Sequence, residues 1–100
     1  MVQAIENWAE IAGEVLGEEP ARIPEHRTLR ILLQASVGLE GYPNLFHPRP
    51  DAVLDVSFPA TTLEEQRLTP GVHIRCRARL VAPGHAIATA DAVASEDPAL

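Results

Sequence analysis

The sequence predicts an all-β domain with one short helix, folded as a small five-stranded barrel. Two segments, 29–37 and 72–80, alternate along the chain with a period of two, which is the period of a β-strand because successive side chains point to opposite faces. Nine prolines in 100 residues divide the chain into short elements, as in many all-β domains. A chain of this length is expected to form one domain, 1–100, with the barrel at about 8–93 and a frayed tail at 94–100. The alternatives are a β-sandwich and an α+β fold with an N-terminal helix.

The first element fits both a helix and a strand. Trp8, Ala12 and Val15 have a helical spacing, but the same stretch also alternates. Gly13 would weaken a helix by about 1 kcal/mol relative to alanine, whereas in a strand it would mark a bulge or a barrel corner. We therefore expect a strand over about 8–16. Trp8 is then a core anchor or a stacking platform.

Prolines and glycines separate the next elements. A loop with two prolines occupies 18–26 and leads into a strand over 27–37, one side of which is strongly apolar. The following loop, 38–50, is long for so small a domain, and loops of that length are usually functional or mobile. The third strand is expected at 53–58.

A short helix and a hairpin complete the predicted fold. The helix is expected at 61–68, where Thr62 and Glu65 have the spacing of a capping box. Pro-Gly pairs then precede and follow the fourth strand, expected at 72–81. The fifth strand is expected at 86–93 and should pair with the fourth.

The register of this hairpin depends on the length of its turn. A two-residue turn would place Cys76 opposite Asp91 and bury a carboxylate, which is costly without a partner. A three-residue loop, 83–85, would instead place Arg77 opposite Asp91 on the wet face, where an opposite-charge pair contributes up to about 1 kcal/mol. We therefore favour the longer loop.

The order of the predicted elements, three strands, a helix and two strands, resembles the OB-fold, a Greek-key barrel whose helix falls between its third and fourth strands. The run Leu68-Thr69-Pro70-Gly71-Val72 before the fourth strand resembles the same position in single-strand-binding domains. The resemblance covers about residues 8–93. It implies binding of single-stranded nucleic acid, oligosaccharide or protein by the second and third strands, between the loops 17–26 and 82–86.

The composition restricts the partners and the cellular location. A formal charge of −6 argues against a general polyanion binder. All eight basic residues are arginines, which fits either a coding bias or selection for bidentate recognition of phosphate and carboxylate. No apolar run approaches 18 residues, so no membrane contact is expected, and without a signal-peptide pattern we expect a cytoplasmic protein.

The best candidate for a site is the polar face of the fourth strand. Arginines two residues apart repel one another unless anions answer them, and those anions could be local carboxylates, a protein partner or phosphates. A basic groove with stacking rings is typical of single-strand binders. The alternative for the aromatic loop is that Leu45 and Phe46 fold back over one end of the barrel. The full candidate set is His73, Arg75, Arg77, Arg79, Arg30, Tyr42 and Phe46.

No residue pattern predicts catalysis, a metal site or a cofactor. Ser36 and Ser57 lie in strands without a nucleophile elbow, and Cys76 should be buried and unactivated. The four histidines lack ligand spacing, although the sequence leaves open whether His47 and His85 converge. We expect a non-catalytic binding or assembly module that contacts a protein partner or a second copy of itself. The alternative is a domain that binds single-stranded DNA or RNA.

Overall fold

A computed structural model of the chain describes residues 7–46, 52–89, 91 and 93–95. These residues form strands β1 (Ala9–Glu19), β2 (His26–Gly38) and β3 (Val53–Pro59), helix α1 (Ala60–Gln66), and strands β4 (His73–Ala82), β5 (His85–Ala88) and β6 (Val93–Ser95). No helix in this part of the chain is long and apolar enough to cross a membrane.

The strands close into a barrel. Neighbours hydrogen-bond in the order β1-β2-β3-β5-β4, and β1 also pairs with β4, which completes the ring. The pairs around this ring are antiparallel except β3 with β5. The predicted fold class, a small five-stranded barrel with one short helix, is thereby confirmed, and the sandwich alternative is wrong. β6 adds to β4, so the predicted fifth strand is divided into two short pieces within the described residues.

β1 is a strand, so the alternative of an N-terminal helix over its residues is wrong. Its register against β2 shifts between Ala12 and Gly13, which is the bulge that a glycine in a strand suggested. A Cβ atom at Gly13 would lie 2.5 Å from the carbonyl oxygen of Leu32. Glycine is required here because β1 and β2 approach each other too closely for a side chain.

The core lies inside the barrel, where alternate residues of the strands meet. On β4 the apolar residues Ile74, Cys76 and Ala78 are buried while Arg75 and Arg77 are exposed, as the period of two predicts. Large side chains with almost no exposure fill the centre of the barrel: Ile11, Val15, Leu29, Ile31, Val56, Phe58 and Ile74.

The β4–β5 hairpin differs from its prediction. Ala82 pairs with His85 across a two-residue turn, so the favoured three-residue loop is wrong. Gly84, at φ 73°, takes up the turn conformation, and a bulge before Ala82 then shifts the register. Asp91 is neither opposite Arg77 in a ladder nor buried, because β5 ends at Ala88 and Asp91 is exposed in a turn.

The helix begins and ends earlier than predicted, and the capping box is wrong. Pro59 is the N-cap residue, and no side chain makes a capping hydrogen bond to the helix. Instead the Ala60 amide donates to the carbonyl oxygen of Glu25, so the β1–β2 loop supplies one of the acceptors that a capping side chain would have offered. Thr62 lies inside the helix and is buried.

Candidate ligand-binding surface

The cationic face of β4 lies beside β1. Arg77 pairs in register with Glu10, Arg75 with Ala12, and His73 with Glu14. The outward side chains of β1 therefore stand next to those of β4 on the outer surface of the barrel. Closure of the barrel thus determines which groups answer the arginines.

The arginines of β4 differ in the groups that neutralise or contact their guanidinium charges. Arg75 Nη1 lies 3.9 Å from Glu10 Oε1, at the outer limit for an ion pair. The Arg79 guanidinium lies over the Trp8 ring, 5.9 Å from its centroid, in a cation–π contact. Among the described residues, no ion pair engages the guanidinium of Arg77.

The Arg77–Asp91 pair that the sequence suggested is not formed. The Asp91 carboxylate accepts a hydrogen bond from the Thr89 hydroxyl instead. The Thr89 amide in turn donates to the Arg77 carbonyl oxygen, at 3.0 Å. This bond keeps the chain beside β4 as far as Thr89, and the exposed turn at Asp91 follows it, so the Arg77 side chain stays exposed.

A cavity of about 220 Å³ opens on this surface, lined by Trp8, Leu39, Tyr42, Arg77 and Thr89. The Tyr42 side chain is 41% exposed, and Trp8 is half-buried. Two aromatic rings and a guanidinium thus surround a space open to solvent. Their sequence positions are far apart, and β1, β4 and the segment after β2 bring them together.

A second cavity, of about 240 Å³, lies beside the first and is lined by Glu10, Arg75, Cys76, Arg77 and Asp91. It lies where β5 has ended and β6 has not begun, so β4 is flanked on that side by the turn around Asp91. Arg77 lines both cavities. We call the two cavities together the β4 groove.

Cys76 touches this groove but is not a nucleophile. Its side chain is buried in the core, and burial, followed by the nearby carboxylates of Asp91 and Glu10, raises the pKa of the thiol to about 12. The reactive thiolate is therefore negligible at neutral pH. The groove offers rings and charges for binding.

The other residues of the candidate set lie outside the groove. Phe46 is buried in the core at 4% exposure, so its ring is not available for stacking on a ligand. His73 stands at the far end of β4, where its Nδ1 lies 3.2 Å from the side-chain oxygen of Gln34. Arg30 lies on the outer face of β2, in ion pairs with Glu19 and Asp55. The structure therefore brings together Tyr42 and the arginines of β4, and separates Arg30 and Phe46 from them.

A buried polar network crosses β2, β3 and β5 on another part of the wall. Ser57 Oγ lies 3.0 Å from Thr28 Oγ1 and 2.9 Å from His85 Nε2. Thr28 and Ser57 have no solvent exposure, so a ligand cannot reach this serine. Burial lowers the pKa of His85, the Arg22 charge lowers it further, and the Asp55 carboxylate opposes both effects. The network fastens β5 to β3, the parallel pair of the barrel.

Within residues 7–46, 52–89, 91 and 93–95, no three His, Cys, Asp or Glu side chains stand close enough to hold a metal ion. His47, whose approach to His85 the sequence left open, lies outside the described residues.

Three residues that line the first cavity, Trp8, Leu39 and Thr89, were not in the candidate set. Three that line the second, Glu10, Cys76 and Asp91, were not in it either. Trp8 could have been assigned to the outer surface, because it shares its parity with Glu10 and not with the buried Ala9 and Ile11. No signal in the sequence distinguished Leu39 or Thr89. The chain matches no protein-family model, and a search of curated proteins finds no similar sequence. Function must therefore be inferred from the surface itself.

Proposed function

We propose that this chain is a non-catalytic binding module that holds single-stranded nucleic acid in the β4 groove. The observation that carries the proposal is the position of Arg77. Arg77 has no ion-pair partner among the described residues, and it lines both the cavity that contains Trp8 and Tyr42 and the cavity that contains Arg75. A nucleotide offers a planar base that can stack on the aromatic rings and a phosphate anion that can pair with the arginines.

The aromatic cavity supports base stacking. Single-strand binders combine exposed rings with cations, and each stacked base contributes about 1–3 kcal/mol. Tyr42 is exposed, and Trp8 follows Asn7, whose side chain bonds the backbone of Leu80. Arg79 already lies over Trp8, so one side of that ring is positioned against a cation.

The barrel itself supports the same class of ligand. Its ring order, with α1 between β3 and β4, agrees with an OB-like barrel, and OB domains are frequent binders of single strands. The proposed site nevertheless differs from the one that the resemblance implied, because it lies on β1 and β4 instead of β2 and β3. The paired charges on β2 and β3 are the reason for preferring the β4 groove.

The charges of the groove limit the expected affinity. Glu10 and Asp91 line it together with Arg75 and Arg77, so about two phosphates at most can be neutralised. For single strands the logarithm of affinity falls with the logarithm of salt concentration by about 0.7 per neutralised phosphate. A slope of about −0.7 to −1.4 is therefore expected.

The test is fluorescence anisotropy of a labelled, mixed-sequence single-stranded oligonucleotide between about 50 mM and about 200 mM salt. Trp8→Ala should weaken binding by about fivefold to 150-fold, the equivalent of one lost stacking contact. Arg77→Gln should make the salt slope shallower by about 0.7.

The matched control is Arg67→Asn, which removes one exposed positive charge at the end of α1. Asparagine tolerates the left-handed conformation of that residue, at φ 52°. This variant should bind as the wild type does. Absent binding at low salt, or binding that salt does not weaken, would refute the proposal.

Contact with a protein partner or a second copy of the chain is a second candidate function. The favouring observation is Val37, which is 53% exposed and pairs in register with Glu10, close to the β4 groove. Exposed apolar and aromatic side chains beside arginines are typical of protein interfaces. Sedimentation equilibrium tests self-association: a concentration-dependent mass that Val37→Ser lowers would support it, and a monomer at all concentrations would exclude the second copy.

A further inference from the structure

The outer face of β2 and β3 carries an alternating chain of charges. Arg22 Nη2 lies 2.7 Å from Asp55 Oδ2, and Arg30 Nε lies 3.5 Å from Asp55 Oδ1. Arg30 Nη2 also lies 2.8 Å from Glu19 Oε1. Each oxygen of the Asp55 carboxylate therefore faces a different guanidinium, as two oxygens of a bound phosphate would.

The carboxylate of Asp55 is fixed in this place. Its side chain is 10% exposed, whereas those of Arg22 and Arg30 are 50% and 49% exposed. The Asp55 amide donates to the carbonyl oxygen of Gly84, and Arg30 is its cross-strand neighbour on β2. The two arginines are thus reachable from solvent, but the anion between them belongs to the protein.

From these contacts we infer that Asp55 is a specificity-determining residue, a built-in anion that prevents the β2–β3 face from binding phosphates. An incoming phosphate would have to displace the Asp55 carboxylate, which is covalently part of the protein. Otherwise it would have to approach the arginines against the repulsion of that carboxylate. Rejection by an unfavourable charge is a general route to specificity. This inference rests on the proposed function, because it explains why a single strand would choose the β4 groove.

The inference predicts that a second binding surface appears when Asp55 is neutralised. Asp55→Asn keeps the size of the side chain and one acceptor oxygen, but it leaves the guanidinium charges of Arg22 and Arg30 opposed by Glu19 alone within this cluster. An external phosphate can then take the vacated role. The new contacts should add to the salt dependence of binding.

The experiment measures anisotropy of the same oligonucleotide with Asp55→Asn, made both in the wild-type chain and in the Trp8→Ala variant. We expect affinity at low salt to rise about threefold to tenfold in both backgrounds. We also expect the salt slope to steepen by about 0.7 to 1.4, for one or two added phosphates. Adding Arg22→Gln and Arg30→Gln to Asp55→Asn should abolish the gain.

The control is Glu65→Gln on the exposed side of α1, which changes the net charge by the same amount at a residue that takes part in none of the ion pairs of Asp55. It should leave the slope unchanged. An equal gain with Glu65→Gln, or no gain with folded Asp55→Asn, would overturn the inference. Should circular dichroism show that Asp55→Asn does not fold, Asp55→Ser replaces it, because it removes the same charge and keeps a hydroxyl oxygen that can accept from a guanidinium; an unchanged slope then overturns the inference.

The result separates this inference from the proposed function. If the wild type does not bind and Asp55→Asn does, the β4 groove is not a site but Asp55 still excludes phosphates. If the wild type binds through Trp8 and Asp55→Asn gains nothing, the groove stands and the role of Asp55 is wrong.

Discussion

The side-chain amide of Asn7 bonds both backbone groups of Leu80, at 3.0 Å from Nδ2 to the carbonyl oxygen and at 2.8 Å from Oδ1 to the amide nitrogen. The side chain thereby continues the β1–β4 ladder beyond Ala9, in the place of a main-chain pair. Asn7 is 1% exposed and Leu80 is partly buried, so removing the Asn7 side chain would leave two partly buried backbone groups of Leu80 without these partners.

We therefore expect Asn7→Ala to lower the free energy of unfolding by about 1–3 kcal/mol, measured by urea denaturation. Gln34→Ala is the control, since it removes an exposed hydrogen bond to His73 and should change stability by no more than about 0.5 kcal/mol. A change as small as this with Asn7→Ala would show that the two bonds contribute little.

The bulge of β1 gives a second prediction. Gly13→Ala would press a methyl group against the Leu32 carbonyl and the Ile31 side chain, so it should lower the free energy of unfolding by about 1–3 kcal/mol. Gly17→Ala is the matched control on the same strand, because nothing lies within 4 Å of its added methyl group. It should be neutral or stabilising, and equal losses in both variants would contradict the steric explanation.

The acid sensitivity of the fold should depend on His85. Its pKa in the folded protein lies below the ordinary value of 6.5, so the unfolded chain takes up the proton first as the pH falls. The contribution of His85 to stability is therefore complete above pH 6.5 and is lost as the pH falls through its lowered pKa.

Thermal denaturation between about pH 7 and pH 5 checks this dependence. His85→Gln keeps a polar group beside Ser57 but cannot take up the proton, so its stability should fall less over this interval than that of the wild type. The same decrease in both proteins would exclude His85 as the cause.

Cys76 should be unreactive in the folded protein. Its side chain is 3% exposed and its pKa is raised to about 12, so both access and thiolate are lacking at neutral pH. Ellman's reagent should modify it promptly in concentrated guanidinium chloride and far more slowly without denaturant. Rapid modification of the native protein would mean that the β4 groove opens to the thiol.

The faces of the strands could be predicted from the sequence because the period of two is a local property. Ile74 and Arg75 differ in burial for the reason that any neighbours on a half-buried strand differ. The register of the hairpin could not be predicted, because the bulge before Ala82 and the turn at Asp91 depend on the strands packed around them. The predicted Arg77–Asp91 pair was derived from the two strands of the hairpin alone, without the neighbouring strands of the barrel.

The groove was harder to predict than the fold for a related reason. Arg77 was recognisable as an outward cation, but Trp8 and Tyr42 become its neighbours only through closure of the barrel between β1 and β4. Phe46 and Tyr42 are both aromatic residues in one proline-rich loop, so the sequence does not distinguish a buried ring from an exposed one. Packing put one ring in the core and left the other exposed.

The pairing of β1 with β4 also has a consequence for how the protein folds. The two residues at its end, Asn7 and Leu80, are separated by 73 positions. Pairing β1 with β4 therefore closes a long loop, and the conformational entropy lost in closing it opposes this contact early in folding. We expect the β1–β4 pairing to form late. A nascent chain on the ribosome should therefore lack the cavity beside Trp8 until β4 has emerged. A ligand that contacts both β1 and β4 would then slow the separation of these two strands, and so would lengthen the lifetime of the native state.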